Sequence, residues 1–419
     1  MVLLVINGVI GSGIFGLPSK AFKEVGVYSI AAFLICAFAV FVIILCFAEV
    51  SSRFDKTGGP YLYALSSFGP LPAFLTGWLL LLTRFITYAA LINLLVTYLS
   101  VFSDWFELQT PRVITIVLLT VLLAYVNHVG IKNSTRVNNF LTITKLLPLL
   151  LFIIVGFFFI KSENYAVKNV PDFSSFSSTV LLLVFAFGGF ESVLVNTGEV
   201  KNPEKNLPFA LLLAALIIAC IYMSVQIVSI GTLPSLAETD KPLAEASQLF
   251  MGKAGSVIIA LGAIISVTGT LNAIMLVGSR LPFAFSEEDQ FPKVFSFTHP
   301  KYKTPTWSLL LFMTITIIIS LNYSFLSAAS ISAITRVMIY TIVCITLLVL
   351  RKKKQEQKEF FKIKYGNIVA ILGVLITIWL LSNATAKELK HVGIAIGIGL
   401  LVYLLMELSK QIWRGKTKN

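Results

Sequence analysis

Charge is what this chain has least of. Asp, Glu, Lys and Arg make up 13% of its 419 residues, about half the share usual in a soluble globular domain. Stretches of polar sequence long enough to form a soluble domain are absent too, which argues against a sensing receptor with a signalling module. Only three histidines occur, His128, His299 and His391, in loops or at the ends of apolar runs. Neither an HExxH pattern nor a paired-carboxylate arrangement accompanies them, so a membrane-embedded enzyme has poor support and no cofactor is implied. The four cysteines, Cys36, Cys46, Cys220 and Cys344, all fall inside apolar runs without metal-like or disulfide-like spacing. They read as small apolar packing groups, and redox chemistry and a metal site are not expected.

What fills the chain instead is apolar: 57% of residues are hydrophobic. A membrane span needs about 20 such residues, and about twelve runs qualify or nearly do, at 1–22, 28–52, 71–101, 112–129, 138–160, 175–199, 207–233, 254–285, 305–321, 324–350, 366–383 and 389–408. The fold class is thus an all-α, multi-pass membrane protein in a lipid bilayer. Its formal charge of +13 needs no nucleic acid partner. With an even number of spans both termini share a side, and on that side fall Arg53, Lys56, Lys132, Arg136, Lys201, Lys205, Arg280, Lys293, Lys301, Lys303, the cluster Arg351 to Lys364, and Lys410 to Lys418. The other side holds fewer, namely Lys20, Lys23, Arg112, Lys161, Lys168, Lys241, Lys253, Lys387 and Lys390. Basic residues stay cytoplasmic in short loops, facing an anionic leaflet, so both termini are expected in the cytoplasm and the protein in the cell membrane.

One stretch organises the rest. Gly8 to Phe15 reads GVIGSGIF, an apolar helix interrupted by Gly11, Ser12 and Gly13. An unpaired backbone group in hydrocarbon costs several kcal/mol, so a helix opens there only where protein, water or ligand satisfies it. The break presents N–H groups from about Ile14 onward, which suit a carboxylate, and carbonyls near Ile6 to Val9, which suit an ammonium. Those two complements describe an amino acid. The plainer reading is a small-residue packing seam between helices. Against it stands a second interruption, Gly188-Gly189 in the sixth run, with Glu191 immediately beyond. Two broken helices five spans apart point to inverted repeats with a site between them. The first run has only ten residues before its break, about 15 Å of helix. A longer N-terminal lead is therefore expected; a cleaved signal peptide fits poorly, because no basic n-region or cleavage site is present.

Further along, Gly58-Gly59-Pro60 punctuate a turn, and Tyr61 to Phe68 read as a short interfacial helix. The third run carries Arg84 with Tyr88 one turn later, and the tenth carries Arg336 with Tyr340. An ionisable residue at mid-span defaults to function; here a structural lock paired with Glu191 or backbone competes equally with a substrate contact. Lys145 lies about 10 Å from the start of the fifth run, shallow enough to snorkel to the interface. Leu233 to Lys253, with PLAEASQLF, reads as a lid or a plain connector. Ser266, Thr268, Thr270 and Asn272 make one face of the eighth run polar, as helix glue or as a pathway lining. The last two runs look like scaffold or an oligomer surface.

Taken in order, Gly11-Ser12-Gly13-Ile14-Phe15, TGGPYLYA (Thr57 to Ala64), Phe185 to Pro203 ending in EVKNP, PLAEA (Pro242 to Ala246) and SRLPFAFSEEDQFP (Ser279 to Pro292) resemble an amino acid permease of the amino acid, polyamine and organocation (APC) superfamily, with the LeuT-type fold. The resemblance covers nearly the whole chain. It implies a 5+5 inverted-repeat core, 1–160 and 175–350, with discontinuous helices 1 and 6, and two accessory spans at 366–408. By the same resemblance Ser12, Gly13 and Ile14, with Gly11, bind the substrate carboxylate. Carbonyls of Gly8, Phe185, Ala186 and Gly188 hold the α-amino group, Phe187, Phe190 and Glu191 form gate and specificity wall, and Lys145 occupies the sodium position of sodium-dependent relatives. Arg84 and Arg336 depart from the pattern. The function implied is alternating-access transport of an amino acid, with protons as the coupling partner. Exchange of one amino acid or amine for another and transport of an acidic amino acid are the alternatives, and the protein is expected as a monomer or homodimer.

Overall fold

Hydrocarbon admits a chain only when its backbone groups are paired within the segment, and the apolar runs accordingly fold as helices. The computed structural model describes residues 1–54, 58–130, 135–167, 169–195, 202–353 and 360–416, and every regular element among them is helical. Lys56, Thr57, Lys132, Lys168, Lys201 and Lys418, with residues 196–200 of the Phe185 to Pro203 stretch and 354–359 of the Arg351 to Lys364 cluster, lie outside the described residues.

In chain order the helices are α1 (Val2–Val9), α2 (Gly13–Val25), α3 (Ser29–Ser51), α4 (Pro60–Phe68), α5 (Pro70–Leu99), α6 (Gln109–Val129), α7 (Thr135–Phe157), α8 (Phe173–Phe187), α9 (Glu191–Val195), α10 (Pro203–Thr232), α11 (Pro242–Gly278), α12 (Arg280–Glu287), α13 (Thr306–Asn322), α14 (Phe325–Lys352), α15 (Gly366–Ser382) and α16 (Ala386–Lys416). Among the described residues, seven helical stretches are long and apolar enough to cross a membrane, and four shorter apolar helices accompany them. The first and sixth apolar runs are each split, α1 from α2 and α8 from α9.

Local chemistry sets the boundaries. Gly69, at φ 89°, closes α4 in a conformation that L side chains rarely adopt, and Pro70 opens α5 at the first helical position, where its missing N–H is no loss. Asp172 caps α8 by accepting from Ser175 N, and Ser324 caps α14 through Ser327 N. Within the Leu233 to Lys253 connection, Pro242 to Met251 is helical, and Gly252 (φ 66°) then bends α11.

The central rod is α5. Most of its apolar length is buried, and it packs against α4, α11, α13, α14 and α16. Around it, α10 lies on α3, α7 on α11, α15 on α14 and α3, while α8 lies on α2, α3 and α14. At the chain-start end of the bundle a fully buried Glu49 accepts hydrogen bonds from Arg53 (2.6 Å), from Arg351 through Nε (2.8 Å) and from the Ile363 amide (3.0 Å). Sequence reasoning placed Arg53 and Arg351 among solvated topology signals. They are instead drawn inward by Glu49 and tie α3 to α14 and to the segment preceding α15.

Candidate functional site

The first break is short and uncapped by side chains. Helix α1 ends at Val9, Ile10 turns extended (φ −71°, ψ 99°), and α2 starts at Gly13 with Ser12 at its N-cap position making no side-chain bond to the helix. The amides of Gly13 and Ile14 therefore have no intrahelical acceptor and sit at the positive end of the helix dipole, whereas those of Phe15 and Gly16 already bond Ser12 O (both 3.1 Å). The last carbonyls of α1 are partly taken. Lys145 donates to Asn7 O (3.2 Å), Ile10 O (3.3 Å) and Thr270 Oγ1 (3.1 Å).

The second break meets the first head-on. Gly188 is extended and Gly189 has φ 117°; a Cβ on Gly189 would lie 2.2 Å from Gly8 O, so neither conformation nor space admits a side chain. Gly13 is held for a related reason, since a Cβ there would fall 2.5 Å from Ala186 Cα. Helix α9 supplies its own anion. Glu191 accepts from the Gly189 amide (2.8 Å) and from Tyr340 Oη (3.2 Å), and it is ion-paired with Arg336. Arg336 is further engaged with Thr87 Oγ1 (3.2 Å) and Ser332 Oγ (3.4 Å).

Between the breaks lies a cavity of about 170 Å³. A single water needs about 10–15 Å³ on this measure, so the space suits on the order of ten small groups, the size of an amino acid. Of the residues singled out in the sequence, Gly8, Gly11, Ser12, Gly13, Phe185, Gly188, Arg84 and Arg336 line it. Ile14, Ala186, Phe187, Phe190, Glu191 and Lys145 do not. Phe187 turns to Tyr222 (ring centroids 5.0 Å) and Phe33, Phe190 stacks on Tyr340 (5.3 Å), and Ala186 O accepts from Tyr222 Oη (3.1 Å). Lys145 is only 1% exposed and does not snorkel. Its helix begins at Thr135, which puts it about 15 Å along α7 rather than 10 Å.

Sequence reasoning missed Thr87 as a lining residue and Tyr222 as a clamp on both breaks, the latter donating also to Val9 O at 3.5 Å. Thr87 sits three residues after Arg84 on the same helix, a spacing that places it on the Arg84 face. Of the polar face of the eighth run, Thr270 reaches the cavity, whereas Asn272 is bonded to Asn127 (2.8 Å). Tyr88 points elsewhere and meets Phe312 edge-on at 6.3 Å.

The cavity extends toward the chain-start end of the bundle, past Leu4, Ser192 and Val277. At the opposite end it is shut. Tyr98 Oη donates to Phe15 O (2.7 Å), Phe185 meets Phe325 at 6.0 Å, and beyond them Lys20 pairs with Asp240 and Lys241 with Glu107 (3.2 Å). The hydrogen bonds of Glu107 to Lys241 and Ser100 hold its carboxyl below the usual carboxylate range.

The same architecture has known counterparts. The family model described as amino acid permease matches residues 1–407. The chain is 29% identical to the methylthioribose transporter of Bacillus subtilis (strain 168), covering 97% of this chain and 91% of that protein. It is 28% identical to the branched-chain amino acid permease BcaP of the same organism, again over 97% and 91%, and 28% identical to its serine/threonine exchanger SteT, over 95% and 92%. With a family match running nearly end to end over a helical, membrane-embedded bundle whose two broken helices border one cavity, this chain belongs to the amino acid permease family.

Proposed function

We propose that this permease carries an amino acid by alternating access and couples the movement to protons through Lys145. The cargo's carboxylate sits on the free amides at the start of α2, and its ammonium on carbonyls of Gly8, Phe185 and Gly188, all of which border one cavity. The two breaks support inverted repeats over 1–160 and 175–350, with α1, α2, α8 and α9 moving against α5, α6, α11 and α13. Both termini are cytoplasmic in this reading, so the cavity faces the cytoplasm and the aromatic and ionic closure faces outward.

The observation that carries the coupling is the three-way bond of the Lys145 ammonium to Asn7 O, Ile10 O and Thr270 Oγ1. It fastens the end of α1 to α7 and α11 with a charge. A neutral amine has one hydrogen fewer to donate and no charge to hold carbonyl dipoles, so loss of the proton biases the bundle toward releasing α1. The test is uptake into proteoliposomes without sodium under an inward proton gradient, using a mixture of acidic, amide, hydroxyl and branched-chain amino acids as cargo. The parent is expected to accumulate substrate and Lys145→Met only to equilibrate it. Accumulation by the variant equal to the parent overturns the coupling role, and uptake that requires internal amino acid identifies exchange instead.

A further inference from the structure

The site holds more positive charge than its own residues balance. Glu191 is matched to Arg336, which also bonds Thr87 and Ser332, and Lys145 is solvated by three oxygens. Arg84 has no such arrangement. It is 4% exposed, it borders the cavity, and its Nε is without an acceptor; among the described residues no carbonyl, hydroxyl or carboxylate accepts a hydrogen bond from its guanidinium. Its charged neighbours are Glu191, already committed, and Arg336, which repels it. Across the same cavity the buried Ser12 hydroxyl is also unpartnered. A buried cation with unmet donors is costly, and folded proteins keep such groups bonded. The missing acceptor is therefore supplied by what enters the cavity.

We infer that the cargo is an amino acid with an anionic side chain, whose second carboxylate is received by Arg84 while its α-carboxylate lies on the α2 amides beside Ser12. A planar guanidinium with free donors offers a carboxylate two parallel bonds. A neutral side chain offers those donors at most one uncharged acceptor, or none. This rests on the proposed amino acid transport and deepens it by naming the substrate class. Thr87 Oγ1 accepts from Arg336 (3.2 Å) and not from Arg84, so the Arg84 guanidinium keeps its donors for the cavity.

The experiment is binding to the purified full-length protein, by thermal shift and by competition for uptake in proteoliposomes. The probes are two near-isosteric pairs, L-glutamate against L-glutamine and L-aspartate against L-asparagine, with L-serine and L-leucine as neutral controls. At least one acid is expected to bind about tenfold or more tightly than its amide, the effect of a charge-assisted hydrogen bond. Arg84→Gln brings that ratio close to one, and Arg84→Lys retains part of it. If neutral amino acids bind and neither acid is preferred, Arg84 is solvated by cavity water and the inference is overturned while amino acid transport stands. Arg84→Gln weakening acid and amide equally places the α-carboxylate on Arg84 and also overturns it. Failure of all six amino acids to bind overturns the transport reading together with this one.

Discussion

At Gly11 to Gly13 the new half-helix begins with two amides, Gly13 and Ile14, that no group among the described residues accepts from, beside a serine whose hydroxyl is buried and unpartnered there; at Gly188 to Phe190 the half-helix begins with Glu191 folded back onto the Gly189 amide and clamped by Arg336 and Tyr340. Both breaks create the same electrostatic vacancy, a positive helix end at bilayer depth. One is filled from within the chain, by Glu191, and the other has no side-chain cap. The two Arg-Tyr pairs, so alike in sequence, diverge as well: Arg336 and Tyr340 converge on Glu191, whereas Arg84 faces the cavity and Tyr88 packs on Phe312.

The comparison breaks most visibly at Glu191. Glu191→Gln leaves the Arg336 charge buried without its partner, and a loss of about 3–5 kcal/mol of stability is expected, read as a large fall in denaturation temperature in detergent. Adding Arg336→Met removes the stranded charge and should recover much of the loss; a double variant as unstable as the sum of the singles would mean the pair is not coupled.

Glycine substitution tests the geometry at the open break. A methyl on Gly13 meets Ala186 backbone at 2.5 Å, whereas one on Gly11 finds its nearest neighbour, Thr270 Cγ2, at 3.7 Å. Gly13→Ala is expected to cost about 1–3 kcal/mol, as overpacking does. Gly11→Ala should stay within about 0.5 kcal/mol of the parent in stability. Equal melting temperatures for the two would show that the helices part freely at this crossing.

The smallest effect is expected at Ser12. Its hydroxyl bonds nothing among the described residues, so Ser12→Ala leaves stability unchanged and weakens cargo binding by about 1 kcal/mol or less, one net hydrogen bond. Isothermal titration with the transported amino acid reads this directly. A loss of stability without a change in affinity would assign the hydroxyl to the fold.

Much of this was legible in advance because bilayer physics leaves strong marks in composition. A run of about 20 apolar residues has one solution, so the rods could be drawn from hydropathy, and paired glycines inside two of them marked the breaks. Lys145 was visible as an intramembrane cation, but its depth was not, because Thr135 to Phe140 carry no signal separating loop from first helical turn and the helix starts earlier than the apolar run. The wall formed by Phe187 and Phe190 was misplaced for a different reason. Once Gly189 takes φ 117°, helical spacing no longer carries facing from α8 to Phe190, whose ring stacks on Tyr340, while Phe187 lies two residues round α8 from the cavity-lining Phe185 and turns to Tyr222.

The sequence by itself determined that the chain lies in a membrane, how many apolar rods it makes and where two of them open, since each follows from local solvation of backbone and side chains. Which charge meets which was decided only by tertiary structure. Glu191 is 145 residues from Arg336 and Arg84 belongs to another helix again; local sequence says that each buried charge needs a partner, but the choice between two arginines depends on how α5, α9 and α14 pack. That packing gave Glu191 to Arg336 and left Arg84 to the cavity.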